Sequence, residues 1–542
     1  MTDATNWHFA DIYEAIAEAV PDRAAIIYGD QTVSWRSFDQ RANALGHDMA
    51  EAGLGAQSKV AVYAPNRPEY IEAYHAAQKI SAWPFNVNYR YGPEEIAYLL
   101  DNADTEAVVF DMRFADVVDE LRARFDHVKR WYAIGDSCPE WATPFESVAS
   151  SERIDAPRSP EGRSGTDVVL VYTGGTTGMP KGVMWQQTDL FQAMGAGGNA
   201  LMGIPPITSV TDAAAGVLSR PDGPVVMLAC PLMHATALSN AYSTLMIGGT
   251  VVLLPGEKFD APGLWETVDR TQTESLVIVG DAFARPLLAE LDAQPDRWSL
   301  DSLKVIHSAG VMWSREVKVG LFAHLRSDAM MVDVFGSSEA AAMGSSVSTK
   351  DDVAETASFM VGALAQVISE TGGFVVPGSG EVGLAAFGGP MPIGYYQDEK
   401  KSAETFRTIE GKRWSVPGDF ATVEVDGSMK LLGRGSVCIN TGGEKVFVEE
   451  VEEVLKLHDQ VHDAVCVGIP HERFGETVCA VVERAAGAAS VANEALIAHV
   501  KTRLAGYKAP RDVVVVDTIG RAPSGKVDYK TLRAHARQEL GR

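Results

Sequence analysis

Up to about residue 360 the chain alternates short β-branched runs with helical patterns, and this alternation restricts the folds open to it more than any other feature. Ser58 to Ala64 reads as a strand, Pro68 to Ile80 as a helix, Pro93 to Leu100 as another helix, and Glu106 to Phe110 as the next strand. The pattern returns in Val225 to Ala229, a helix from His234 to Ile247, Val251 to Leu254, Ser275 to Val279, a helix from Phe283 to Leu291, and Val305 to Ser308. It predicts α/β organisation, with parallel sheets covered by helices. Between about 361 and 433 the texture changes to short glycine-rich strands, ending in Thr422 to Val425, an Asp426-Gly427 turn and Met429 to Leu432. Asp-Gly between apolar runs signals a hairpin, so a small β subdomain is expected there. From 436 to 542 a compact α+β unit follows, with helices near Val448 to Leu457 and Asn493 to Leu504. Its strands are expected near Ala464 to Ile469, Thr477 to Val482 and Asp512 to Val516. The expected boundary falls near Gly433 to Ser436, dividing the chain into 1–433 and 436–542.

A chain of 542 residues is too long for one compact core, which agrees with two or more domains. Its net charge of −25 argues against nucleic acid or an anionic membrane as the main partner. Any anionic substrate must then meet local positive pockets built from residues such as Lys181, Arg434, Lys445, Lys508 and Arg511. The five cysteines are scattered without a C-x-x-C pair, which suggests neither a disulfide framework nor a zinc site and makes the cytoplasm the expected location. Residues 1–20 lack the apolar core of a signal peptide, and no apolar run approaches the roughly 20 residues of a membrane span.

The segment Val171 to Gly182 reads Val-Tyr-Thr-Gly-Gly-Thr-Thr-Gly-Met-Pro-Lys-Gly. Gly174, Gly175, Gly178 and Gly182 let backbone N–H groups approach a phosphate, Thr176 and Thr177 add hydroxyl donors, and Lys181 adds a cation. Pro180 before the lysine and Gly182 after it depart from the G-x-x-x-x-G-K-[ST] spacing of nucleotide hydrolases, so a different ATP chemistry is needed. Many Gly/Thr-rich turns are plain loops. The place of this one, directly after the apolar run Val168 to Tyr172, favours a polyphosphate cradle.

Further motifs accompany it, and together they resemble the adenylate-forming superfamily of acyl-CoA synthetases, peptide-synthetase adenylation domains and luciferases. Thr173 to Gly182 is similar to that family's phosphate loop, Phe335-Gly336-Ser337-Ser338-Glu339 to its aromatic-Gly-x-Thr-Glu motif, and Gly418-Asp419-Phe420 to its Gly-Asp-Leu element. Gly433-Arg434 resembles the arginine beside the interdomain hinge, and Pro523-Ser524-Gly525-Lys526 the C-terminal lysine motif. The resemblance implies a large N-terminal AMP-binding domain and a small mobile α+β lid. It also implies a two-step reaction, in which an acid attacks the α-phosphate of ATP to give an acyl-adenylate and a thiol then attacks the acyl carbon.

The resemblance assigns roles by residue. Lys526 is the catalytic cation between acyl and phosphoryl oxygens, with Lys181 and Thr176 acting on phosphate and His234 as the gate between the ATP and acyl sites. Thr173, Gly174, Gly175, Thr176, Thr177, Gly178, Lys181, Gly310, Phe335, Gly336, Ser337, Ser338, Asp419, Arg434 and Lys526 are the expected ATP/AMP-binding set. In that set Phe335 stacks on adenine, Gly310 lies flat against it, and Asp419 accepts from the ribose hydroxyls. Glu339 supplies a hard oxygen for Mg²⁺. Gly442, Gly443 and Lys445, in Thr441-Gly442-Gly443-Glu444-Lys445, are implied to line the path of coenzyme A. The chain departs from the family pattern at Gly174, Phe335, Ser338 and Ser436, where serine, tyrosine, threonine and an aspartate or lysine are commoner.

Asn86-Val87-Asn88-Tyr89-Arg90-Tyr91 and the stretch Arg434 to Val454 look like a subgroup of bacterial fatty-acyl and steroid-side-chain CoA ligases. That favours a bulky hydrophobic carboxylic acid. An acyl-AMP ligase loading a carrier protein, an aryl or arylalkanoic acid CoA ligase, and a silent ATP-binding protein on the same fold are the rival readings. Segment 203–224 could border the acyl site or form a surface excursion. The oligomeric state, a homodimer included, is left open.

Overall fold

The computed structural model describes residues 6–173, 179–256, 258–434, 438–441, 444–471, 474–485, 487–488, 492–504, 506–522 and 527–542. Among these residues the strands form three sheets. The eight-stranded sheet runs in the order Gly394–Tyr395, Lys181–Gln186, Val168–Thr173, Trp83–Asn86, Lys59–Tyr63, Thr105–Asp111, Arg130–Ile134 and Thr143–Pro144. Its interior ladders are parallel, while the two strands around Lys181 pair antiparallel to their neighbours. The fifteen-stranded sheet starts with a parallel half that includes Ala24–Tyr28, Thr250–Leu253, Val225–Leu228, Ser275–Ile278, Val305–Ala309 and Met330–Ser337.

Parallel strands covered on both faces have no solvated side, so they read as unbroken apolar runs. Ser275–Ile278 and Thr250–Leu253 are buried along their whole length. The covering helices bury one stripe each: in Ala235–Met246 the buried Leu238, Ala241, Tyr242 and Leu245 recur at three- and four-residue spacing. The helix foreseen from Phe283 starts earlier, at Gly280, whose N–H is taken by the Ser308 hydroxyl at 2.9 Å.

The glycine-rich strands after 361 are antiparallel, and they continue the fifteen-stranded sheet through Ser358–Val361. The change of texture in the sequence therefore marks a change from parallel to antiparallel pairing. The foreseen Asp426-Gly427 turn closes Val423 onto Met429. The third sheet joins Glu444–Val446, Ile439–Thr441, Gly475–Arg484 and Val461–His471 antiparallel, with Asp512–Val516 added parallel.

Segment 203–224 contains the helix Val210–Leu218, which lies against the N-terminal helix Phe9–Ala19. Arg23 fastens it, donating to the carbonyls of Val217 and Arg220 at 3.0 and 2.6 Å. Nearby, the fully buried Lys79 pairs with Glu14 at 2.8 Å and Asp39 at 2.7 Å, tying the first three long helices together. An acidic chain thus uses one of its few cations as an internal clamp. Leaving those carboxylates without a partner would cost about 3–5 kcal/mol.

Candidate functional site

Val168–Thr173 and Lys181–Gln186 pair antiparallel as a hairpin, with Thr173 opposite Lys181. Gly174, Gly175, Thr176, Thr177 and Gly178 lie outside the described residues, as do Gly442, Gly443, Ser436 and Lys526. Lys181 stands at the end of the hairpin, its Nζ 3.3 Å from an Asp398 oxygen and 5.4 Å from the centre of the Tyr395 ring. Burial raises the Asp398 pKa, but the hydrogen bonds from Lys401 N–H and Lys181 outweigh it and hold the carboxyl below its usual range.

The Phe335 to Glu339 motif closes the hairpin between Met330–Ser337 and Ala341–Ser348, with a register shift at Phe335/Gly336. A Cβ added at Gly336 would run into the carbonyl oxygen of Ala341, so the hairpin itself requires the glycine. Phe335 is buried, its ring centre 5.5 Å from that of Phe359. Ser337 Oγ accepts from Glu339 N–H at 3.2 Å. The carbonyl of Ser338 accepts from Trp185 Nε1 at 2.8 Å, and that of Glu339 from Ser415 Oγ at 2.7 Å. The Glu339 carboxylate receives the Tyr395 hydroxyl on Oε1 at 2.8 Å.

Glu339 is half-buried, and its carboxylate, bonded by Tyr395, is a hard oxygen donor. Among the described residues no group of three or more His, Cys, Asp and Glu side chains is arranged to hold a metal ion. One carboxylate fits Mg²⁺ held mainly by phosphates and water rather than by an all-protein cage.

Asp419 is buried at the start of Asp419–Val423 and pairs across the strands with Arg434. The two residues assigned to ribose and phosphate are therefore neighbours in one ladder. Gly310, directly after Val305–Ala309, faces Thr236 and Val279. His234 is the N-cap residue of Ala235–Met246 and makes no capping hydrogen bond with its side chain, which sets it apart from an ordinary cap. Lys445 pairs with Asn440 beside the turn after Thr441.

Sequence reasoning missed the residues that tie these pieces together. Asn86 is buried and accepts from Tyr172 N–H at 2.8 Å, while its amide donates to the carbonyls of Tyr172 at 2.8 Å and Met233 at 2.7 Å. It thereby joins the strand leading into the phosphate hairpin to the residue before His234. Asn66 works alongside it, accepting from Leu232 N–H at 2.6 Å and donating to the Cys230 carbonyl at 2.9 Å. Asn86 stands in a stretch already singled out, whereas Tyr395, Trp185 and Ser415 carry no local signal.

Comparison with known proteins completes the description. Residues 13–396 match the family of AMP-binding enzymes, and residues 450–526 match the AMP-binding enzyme C-terminal domain. A medium/long-chain-fatty-acid–CoA/3-oxocholest-4-en-26-oate–CoA ligase of Mycolicibacterium smegmatis is 38% identical over 537 residues, covering 96% of this chain and 95% of the relative. A 3-oxocholest-4-en-26-oate–CoA ligase of Rhodococcus rhodochrous is 36% identical over 531 residues, covering 96% and 95%. The fold is shared with the anthranilate CoA ligase AuaEII in complex with anthranoyl-AMP, at a TM-score of 0.84 with 20% identity and 99% of each chain covered. It is shared also with ATP-bound MatB from Rhodopseudomonas palustris, at a TM-score of 0.80 with 22% identity, covering 98% of this chain and 100% of that one. With the phosphate hairpin, the Glu339 turn and the Asp419–Arg434 ladder in place, and with family matches over both parts of its length, the chain belongs to the AMP-binding, adenylate-forming enzyme family.

Proposed function

We propose that this chain is an ATP-dependent acid:CoA ligase that converts a bulky hydrophobic carboxylic acid, a fatty acid or a steroid side-chain acid, into its CoA thioester through an acyl-adenylate. The observation that carries the reading is the meeting of the phosphate hairpin and the Glu339 turn through Tyr395, which touches Lys181 with its ring and Glu339 with its hydroxyl. The relatives at 36% and 38% identity support the acid class by their names. The family matches, one ending at 396 and the other starting at 450, support a division near 433–436 into an AMP-binding body and a C-terminal lid.

A carboxylate at neutral pH is a poor electrophile. In the first step its oxygen attacks the α-phosphorus of ATP, forming a C–O–P bond as the bond to pyrophosphate breaks. In the second, the sulfur of coenzyme A attacks the acyl carbon, AMP departs and the thiol proton is released. Both steps concentrate negative charge on oxygen, so prepositioned cations and N–H donors account for most of the catalysis. Lys181 and the hairpin backbone hold the phosphates, and Lys526 bridges acyl and phosphoryl oxygens. Asp419 and Arg434 hold the ribose, and Phe335 and Gly310 border the adenine. His234, the N-cap residue of Ala235–Met246, separates the nucleotide from the acyl chain. Gly442, Gly443 and Lys445 guide the thiol arm. Glu339 would hold Mg²⁺, which when bound neutralises the β- and γ-phosphates. No helix among the described residues is long and apolar enough to cross a membrane, and the enzyme is proposed to act in the cytoplasm.

The test is a screen of carboxylic acids with ATP, Mg²⁺ and coenzyme A, read by mass spectrometry. The proposal expects acyl-CoA from medium- to long-chain or steroid side-chain acids. Adenylate formed without any thioester would instead indicate a ligase that loads a carrier protein.

A further inference from the structure

Two sheets meet at the proposed nucleotide site, and they bring different groups. The eight-stranded sheet brings Lys181 on the phosphate hairpin, and the fifteen-stranded sheet brings Glu339 on the turn after Met330–Ser337. Productive binding of a metal–triphosphate needs both groups placed to within a fraction of an ångström, and the two come from different sheets. Something must hold them in register.

Tyr395 has the geometry to do so. Its backbone is a short strand on the edge of the eight-stranded sheet, with Tyr395 opposite Val183 and Gly394 opposite Met184, so it is anchored two residues from Lys181. Its N–H donates to Ser402 Oγ at 2.8 Å, and its ring packs 5.8 Å from the centre of Phe406. The residue is 6% exposed. From this fixed position its hydroxyl crosses to the other sheet and donates to Glu339 Oε1 at 2.8 Å, while its ring face lies 5.4 Å from Lys181 Nζ. Asp398, three residues on, steadies the same ammonium at 3.3 Å. Trp185 makes a parallel link from the hairpin strand to the carbonyl of Ser338.

We propose that Tyr395 is a positioning residue that couples the two sheets at the nucleotide site, orienting the Glu339 carboxylate through its hydroxyl and the Lys181 ammonium through its ring. A hydroxyl on Oε1 holds one carboxylate oxygen and so restricts the rotation of the group that would hold the metal. The proposal rests on the adenylate-forming reading of the site and adds to it a residue that the sequence motifs do not contain.

The experiment measures by calorimetry how much Mg²⁺ tightens ATP binding in the parent, in Tyr395→Phe, in Glu339→Gln and in the double variant. Thermal midpoints and acid-dependent pyrophosphate release are recorded alongside. Loss of a hydrogen bond to a charged group predicts that Tyr395→Phe loses about tenfold of the Mg²⁺-linked tightening, with metal-free ATP affinity and thermal midpoint retained. In the Glu339→Gln background the tyrosine substitution should then have no further effect, because it acts through that carboxylate. An unchanged Mg²⁺-linked increment in Tyr395→Phe, or losses that multiply in the double variant, would overturn the proposal. So would a Tyr395→Phe protein that does not fold, since the hydroxyl would then serve the stability of the fold rather than the placing of the carboxylate. A parent that releases no pyrophosphate with any acid would bring down the functional reading itself, an outcome separate from a failure of Tyr395 alone.

Discussion

At the residue scale, the account places the largest catalytic share on Lys526, because both half-reactions build charge on oxygens that a single cation can bridge. Lys526→Ala should lower acid-dependent pyrophosphate release by about 100- to 1,000-fold, the loss typical of a removed oxyanion donor. A stopped assay of pyrophosphate against time checks this, and release at the parent rate would remove the assignment. Gly336 makes a different kind of prediction. Its added methyl group would meet the Ala341 carbonyl inside a hydrogen-bonded hairpin, where neither strand can retreat. Gly336→Ala should cost about 3 kcal/mol or more by overpacking and appear as a lowered thermal midpoint. The comparison is instructive, because the sequence motif groups Gly336 with nucleotide contacts while the structure gives it a backbone reason of its own. Residues whose chemistry is intrinsic, such as Lys181, Glu339 and Asp419, are singled out by motif position, and their roles are part of the proposal. Tyr395 and Trp185 were not, since their partners Glu339 and Ser338 lie 56 and 153 residues away and no local pattern encodes the pairing.

At the scale of elements, the parallel strands and their helices were legible because burial on both faces forces unbroken apolar runs, and Asp512 to Val516 is reproduced residue for residue. The strand Lys181–Gln186 was not foreseen, since Gly182 and its mixed side chains hide it. Nor was the continuity of the later antiparallel strands with the first sheet, which depends on the short Ser358–Val361 strand pairing with both halves. Asn86 shows how elements are locked around the site. Its three hydrogen bonds join the strand ends at Asn86 and Tyr172 to the loop at Met233, 147 residues away. Asn86→Asp keeps the shape but sets a carboxylate against two carbonyl oxygens, leaving both without their donor. The substitution should cost about 2–5 kcal/mol, seen as a lowered midpoint in thermal unfolding, and should slow adenylation because Tyr172 and Met233, the residues before Thr173 and His234, both bond to the same side chain. A variant with parent midpoint and parent rate would contradict this role.

At the scale of the whole molecule, contacts among the described residues join the strands that end at 434 to the C-terminal part. Phe420 and Phe447 pack with ring centres 5.3 Å apart, and the Glu449 carboxylate sits against Gly433, which has a φ of +115°. A side chain at 433 would occupy the space Glu449 uses, so the glycine lets the two parts approach. Stability against acid has an identifiable contributor in the central sheet, where burial pushes the His307 imidazole down to about 4. The unfolded chain binds this proton more readily than the folded one, so the stabilisation is complete above about pH 6.5 and is lost as the pH falls toward about 4. A lowering from about 6.5 to about 4 puts the effect at roughly 2–3 kcal/mol. Thermal midpoints of the parent and His307→Gln between pH 7 and pH 4.5 should converge or cross as the parent loses this term. A parallel decline in both would assign the acid sensitivity elsewhere.

The central claim is that an organic acid is activated by adenylation before it meets a thiol. Quantifying the nucleotide products of one reaction with ATP, Mg²⁺, a long-chain or steroid side-chain acid and coenzyme A tests it most directly. The account predicts AMP, pyrophosphate and acyl-CoA in equal amounts, with no AMP formed when the acid is omitted. ADP and phosphate as the products, or AMP formed at the same rate without acid, would contradict it.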